Sequence, residues 1–218
     1  MQTRRITGSG DEFRIGKIVC VGRNYAEHAR ELGNETPAEP VLFMKPATSL
    51  IENGGIVRIP EYSSCCHHEI ELALLVGEKG KNIRAGDALR HLAGYGTAID
   101  MTLRDIQDRL KLKGLPWDIA KGFDTSCPLS DFIPVATLDD PQNLTMTLSV
   151  NGVERQRGVT SDMIHPVSAL VAHISRFFTL EPGDVILTGT PSGVGEVKSG
   201  DVITAEISSV GRLEISVM

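Results

Sequence analysis

Apolar residues fill Ile70–Val76 with one interruption at Glu71, the pattern of a strand buried on both faces. A strand repeats every two residues, so Glu69 and Glu71 share one face while Ile70 and Leu72 take the other. Lys17–Gly22 and Val41–Lys45 are shorter apolar runs of strand type, the second ending on a lysine. Between them, Tyr25–Leu32 reads as a short helix with Asn24 as N-cap and Gly33 as its closing residue. Residues 33–40 are rich in turn formers, so the segment 24–33 reads as a lid helix slung between loops. Ala85–Leu92 predicts a second short helix, and the small residues of Ala93–Ile99 run up to Asp100. Thr102 and Asp105 have the outline of a capping box, after which Arg104, Gln107 and Asp108 share a helical face. The second half of the chain is mostly strand. Leu144–Val150 and Val153–Arg157 flank Asn151-Gly152, the signature of a type I′ hairpin. Pro166 opens a helix whose apolar stripe is Val167, Leu170, Val171, Ile174 and Phe178. Two turn-then-strand units follow, after Pro182 and after Ser199, and residues 1–16 form a lead-in.

Composition narrows the class. A chain of 218 residues that is 41% hydrophobic and 23% charged predicts one globular domain with a substantial core. Its 28 acidic residues outnumber 22 basic ones, which argues against nucleic acid or an anionic membrane as partner. No apolar run approaches the length of a membrane span, and the first residues lack a signal-peptide core. The four cysteines form no Cys-x-x-Cys pair, so a reducing cytoplasm is the expected location.

Candidate chemistry begins with the glutamates. Carboxylates one strand repeat apart lie roughly 6.5–7 Å from each other, and at an effective dielectric near 20 they repel by about 2–3 kcal/mol. A hard divalent cation between them would remove that repulsion, whereas on an exposed edge strand they would simply be solvated. His28 and Glu31 lie three apart on the predicted helix, a spacing that suits a general base with its orienting carboxylate or a surface pair. Taken singly, Lys45 reads as a strand end reaching solvent and Asp100 as a helix-flanking acid. The glycine-rich run Thr188–Gly195 lacks the Gly-Lys-Ser/Thr ending of a P-loop.

Five segments together change the picture. Cys-Val-Gly-Arg-Asn-Tyr-Ala-Glu-His (20–28), Glu-Pro-Val-Leu-Phe-Met-Lys-Pro (39–46), His-His-Glu-Ile-Glu-Leu (67–72), Gly-Tyr-Gly-Thr-Ala-Ile-Asp-Met-Thr-Leu-Arg-Asp (94–105) and Leu-Thr-Gly-Thr-Pro-Ser-Gly-Val-Gly (187–195) stand in one order. In that order they resemble the fumarylacetoacetate hydrolase family, in particular its short acylpyruvate hydrolase branch. The resemblance implies an α+β, sheet-rich fold, a mixed β-sheet roll with a short N-terminal lid helix. It implies a single catalytic domain over 1–218 and a homodimer. It assigns Glu69, Glu71 and Asp100 to a metal, Mg²⁺ with Mn²⁺ or Ca²⁺ as alternatives. It assigns catalytic roles to His28, Glu31 and Lys121, and substrate contacts to Lys45, Arg104, Gln107 and Thr190. The activity it implies is hydrolysis of a carbon–carbon bond in 2,4-dioxo acids such as fumarylpyruvate or acetylpyruvate, giving pyruvate and a carboxylic acid. Alternatives on the same metal are oxaloacetate decarboxylation or tautomerisation and 2-hydroxyhepta-2,4-diene-1,7-dioate isomerisation. A catalytically idle metal-binding module is the alternative outside enzymes.

Overall fold

The computed structural model describes residues 2–31, 33, 35 and 37–218. Leu32, where the predicted lid helix ends, and Asn34 and Thr36 of the loop after it lie outside the described residues. The architecture is α+β and sheet-rich, as expected from the resemblance.

Two sheets carry the fold. The first has six strands in the order Ile133–Pro134, Leu92–Ile99, Ile70–Val76, Val185–Leu187, Ile18–Gly22 and Val41–Lys45. All its neighbours are antiparallel except Val185–Leu187 against Ile18–Gly22. The second has five strands, Val153–Val159, Thr145–Val150, Val202–Ile207, Gly211–Val217 and Ile56–Val57. Ile70–Val76 is buried at every position, and its two faces feed different cores. Ile70, Leu72, Leu74 and Val76 pack with Met146, Leu148, Ile203 and Leu213 of the second sheet. Ala73 and Leu75, on the face shared with Glu71, pack with Ile18, Cys20, Leu129 and Phe132. That is why the run shows no polar alternation apart from Glu71.

The hairpin forms as the turn residues dictate: Asn151 and Gly152 both have positive φ, 51° and 75°. Val167–Phe177 is helical, with Val167, Leu170, Val171 and Ile174 buried. Elsewhere the local signals gave way to tertiary demands. Ala85–His91 is a 3₁₀ helix, and Leu92 already belongs to the next strand. No capping box forms, because the helix starts at Arg104 with Leu103 as N-cap. Thr102 instead receives the Lys121 ammonium, and Asp105 binds Ser63 Oγ and Ser64 N. Asn24 does not cap the helix either, which spans Ala26–Glu31. Its side chain bridges two loops, donating to Thr188 O and His165 O and accepting from His165 N. No helix among the described residues is long and apolar enough to cross a membrane.

Candidate active site

Three carboxylates meet at the end of the six-stranded sheet. Glu69 precedes the central strand, Glu71 is its second residue, and Asp100 follows the strand Leu92–Ile99. The register Ile70↔Ile99, with Asp100 N donating to Glu69 O at 2.8 Å, sets Asp100 beside the glutamates. All three are buried, and each offers an oxygen within 4.8 Å of the others. Burial, and then the charges of Asp100 and Glu69, push the Glu71 carboxyl well above the usual carboxylate range. Burial would also raise Glu69, but the Lys121 ammonium and Arg104 guanidinium outweigh it and hold Glu69 well below that range. Asp100 Oδ1 is buried without a hydrogen bond among the described residues. Lys45 Nζ lies 2.8 Å away as a charge contact, but its hydrogens point to the carbonyls of Met101, Lys121 and Ser126. An all-oxygen donor set, crowded, buried and under-satisfied, fits a hard divalent cation.

The cations around this cluster hold it in place. Lys121 Nζ donates to Glu69 Oε2 (2.8 Å), Asp100 Oδ2 (2.5 Å) and Thr102 Oγ1 (2.6 Å), which uses all three of its hydrogens. Arg104 pairs with Glu69 Oε1 and donates to Gln107 Oε1 at 2.6 Å. Gly189 N donates to Glu71 Oε2 at 2.6 Å from a loop in which Gly189 has φ +94°. A Cβ there would stand 2.7 Å from Asn24 Cβ, so the close approach also requires glycine.

Above the carboxylates opens a cleft with about 390 Å³ of empty space. Of the residues singled out from sequence, His28, Glu69, Glu71, Asp100, Arg104, Gln107, Lys121 and Thr190 line it. Lys45 does not; it is buried behind Asp100 with its ammonium fully engaged, which suits a fixed counter-charge better than a substrate contact. Asp108 also stands apart, its side chain 60% exposed on the outer face of the helix. Glu31 sits behind His28: its Oε2 is 3.3 Å from His28 Nδ1, and its carboxylate also accepts from Gly193 N at 3.0 Å. With Nδ1–H directed at Glu31, His28 Nε2 keeps a lone pair. Burial is the main cause holding the imidazole below its ordinary value of 6.5, so it is neutral at neutral pH.

Sequence reasoning passed over three residues. Lys111 continues the Arg104–Gln107 stripe by one turn and lies 5.7 Å over the Trp117 ring, and that helical spacing could have revealed it. Arg23 lines the same cleft with φ 60°, a conformation a non-glycine residue adopts only under constraint. Gln156 is buried in a strand that is otherwise largely exposed, and only the tertiary contacts expose its role.

Residues 17–218 match the Fumarylacetoacetate (FAA) hydrolase C-terminal family. An Arabidopsis thaliana protein, the mitochondrial oxaloacetate tautomerase FAHD1, is 51% identical over 206 residues, 94% of this chain and 92% of its own length. The Escherichia coli oxaloacetate tautomerase YcgM is 51% identical over 194 residues, covering 88% of this chain and 89% of that protein. Among solved structures, Pseudomonas aeruginosa fumarylpyruvate hydrolase in complex with Mn²⁺ and pyruvate superimposes with a TM-score of 0.96. It is 37% identical and covers 100% of this chain and 95% of that one. Sequence and fold agree that the chain belongs to the fumarylacetoacetate hydrolase family.

Proposed function

We propose that this protein is a divalent-metal-dependent enzyme that interconverts the keto and enol forms of a dicarboxylic 2-oxo acid of the oxaloacetate type. The observation that carries this reading is the buried Glu69–Glu71–Asp100 cluster at the floor of a cleft that His28 also lines. The tautomerase names of the curated relatives support it and move the preference away from hydrolysis, the first expectation from sequence. A single catalytic domain over residues 1–218 and its assembly into a homodimer remain part of the proposal.

Glu69, Glu71 and Asp100 would hold the metal, which when bound supplies a Lewis acid for the substrate's 2-oxo oxygen. Lys121 and Arg104 keep Glu69 ionised, and Lys121 bridges Glu69 to Asp100 and so sets their spacing. Arg104 retains guanidinium hydrogens beyond those given to Glu69, Gln107 and His67, so it can also receive a substrate carboxylate. His28 Nε2, backed by Glu31, takes a proton from C3 and returns one on the way back. Because protonation removes the base, kcat/KM at saturating metal is expected to rise with pH along a limb centred below 6.5 and then level off. A limb centred above that value would assign the proton transfer to another group.

The surplus of cations in the cleft favours a substrate with two carboxylates. Lys45, Arg104 and Lys121 already match Glu69, Glu71 and Asp100 in number, and Arg23 and Lys111 come in addition. Lys111→Met is therefore expected to raise KM for oxaloacetate about 5–20-fold while leaving inhibition by pyruvate unchanged. Equal effects on both ligands would place the second carboxylate elsewhere.

Acylpyruvate hydrolysis is the second reading, favoured by the match to a fumarylpyruvate hydrolase and by the intact His28–Glu31 pair, which could equally activate water. Assays of metal-loaded protein on oxaloacetate enol, oxaloacetate decarboxylation, fumarylpyruvate and acetylpyruvate decide between them. Fastest turnover of an acylpyruvate would overturn the tautomerase reading.

A further inference from the structure

Gln156 lies on the strand Val153–Val159, where most neighbours face solvent, yet it is 0% exposed. The pairing with Thr145–Val150 slips between Leu148 and Ser149, so that Leu148 faces Gln156 and Ser149 faces Glu154. Leu148 is buried, and residues directly opposite in an antiparallel pair share a face, so the Gln156 amide points inward. The amide makes four hydrogen bonds. Its Oε1 accepts from Ile70 N at 3.1 Å and bonds His68 Nδ1 at 2.9 Å. Its Nε2 donates to Pro191 O at 2.9 Å and to Thr190 Oγ1 at 2.8 Å.

Two of these partners leave no freedom. Ile70 N–H can only donate and Pro191 C=O can only accept, so the amide cannot be flipped without opposing donor to donor and acceptor to acceptor. With the amide fixed, its second Nε2 hydrogen falls on Thr190 Oγ1, which must accept. The Thr190 hydroxyl hydrogen is therefore directed away from Gln156, and Thr190 lines the cleft. The same amide ties down the backbone between Glu69 and Glu71.

We propose that Gln156 is a positioning residue that makes Thr190 an obligate hydrogen-bond donor to the 2-oxo acid bound in the cleft. The proposal rests on the functional reading above. Reversing the polarity at Gln156 reverses the Thr190 hydroxyl: in Gln156→Glu a carboxylate oxygen faces Thr190, whose hydrogen turns to it and leaves the ligand.

The test is pyruvate binding to Mg²⁺-loaded protein by calorimetry, with KM and kcat for oxaloacetate measured on the same preparations. Thr190→Val is expected to weaken pyruvate binding about tenfold, and Thr190→Ser to restore it. Gln156→Glu is expected to match Thr190→Val, chiefly in KM, and the double variant to be no worse than either single one. Additive losses, or unchanged affinity in Thr190→Val, would overturn the proposal. If Gln156→Glu does not fold, the side-chain amide resonances of Gln156 decide. Both Nε2 protons should be protected from solvent exchange in the native protein, and one should lose protection in Thr190→Val. Two rapidly exchanging protons in the native protein would overturn it. Native protein that binds no pyruvate and turns over no oxo acid would instead refute the underlying functional reading.

Discussion

Asp100→Asn and Glu71→Gln are each expected to abolish metal binding and to lower turnover by roughly 10³-fold or more, since a Lewis acid at a developing enolate supplies several kcal/mol. Calorimetry with Mg²⁺ and Mn²⁺ measures the first effect, and a steady-state assay the second. The metal-free protein gives an independent check with the opposite sign. The Glu71 carboxyl is pushed well above its ordinary value of 4.5 by burial and by Asp100 and Glu69, so ionising it opposes folding. Without metal, stability is lost as pH rises above about 4.5, the unfolded value, toward the raised folded one. Glutamine mimics the neutral acid. Metal-free Glu71→Gln should therefore melt above metal-free wild type at pH 7–8, by roughly 2–4 °C for each kcal/mol of repulsion relieved. Below about pH 4.5 the difference should vanish. Adding Mg²⁺ should reverse the order, because only wild type gains binding free energy. Full activity after chelation, with no metal restored, would sink this assignment.

The second large effect separates the chemistries open to the site. Tautomerisation must remove a proton from C3, and hydrolysis must remove one from water. Decarboxylation of oxaloacetate breaks the C3–C4 bond and leaves the electron pair on an enolate, with no base required in that step. His28→Ala is therefore expected to lower tautomerisation and any acylpyruvate hydrolysis by about 10²–10⁴-fold, the range for a lost general base. Any decarboxylation should fall much less. Glu31→Gln should follow the same pattern more weakly. It is nearly isosteric and keeps an acceptor for Gly193 N, so the helix Ala26–Glu31 stays docked. Enol absorbance, CO₂ release and acylpyruvate absorbance on one preparation of each variant make the comparison. An equal loss in all three reactions would show that the substitution acts by loosening the helix.

Other functions of the same residues follow from where the fold puts them. Lys121 has no hydrogen left for a ligand in the described arrangement, so it touches substrate only if a carboxylate partner releases it. Its ammonium is held more firmly charged than usual: burial works against the charge, but Asp100 and Glu69 prevail. Such a group acts as a fixed cation, and its replacement should disturb the metal cluster before it disturbs substrate binding.

Much of this protein was readable from local pattern, because local pattern has a period. Two residues per repeat placed Glu69 and Glu71 on one face, and the structure finds both carboxylates at one cluster. Helical spacing placed Arg104 with Gln107, which hydrogen-bond each other in the cleft. Asn151-Gly152 specified its hairpin because few residues accept two successive positive φ angles. Periodicity names a face but not its neighbour. That Asp100 stands beside Glu69 follows from the pairing Ile70↔Ile99, a register set by burial on both faces of the central strand. Lys45 looked like a strand end reaching water, yet the sheet closes over it and turns it toward Asp100. The capping residues Asn24 and Thr102 went the same way, since buried loop carbonyls and a buried ammonium compete for their side chains more strongly than a helix end. Gln156 gave no signal at all: only its pairing opposite the buried Leu148, a register that local pattern does not specify, puts its amide on the inward face where it reaches Thr190.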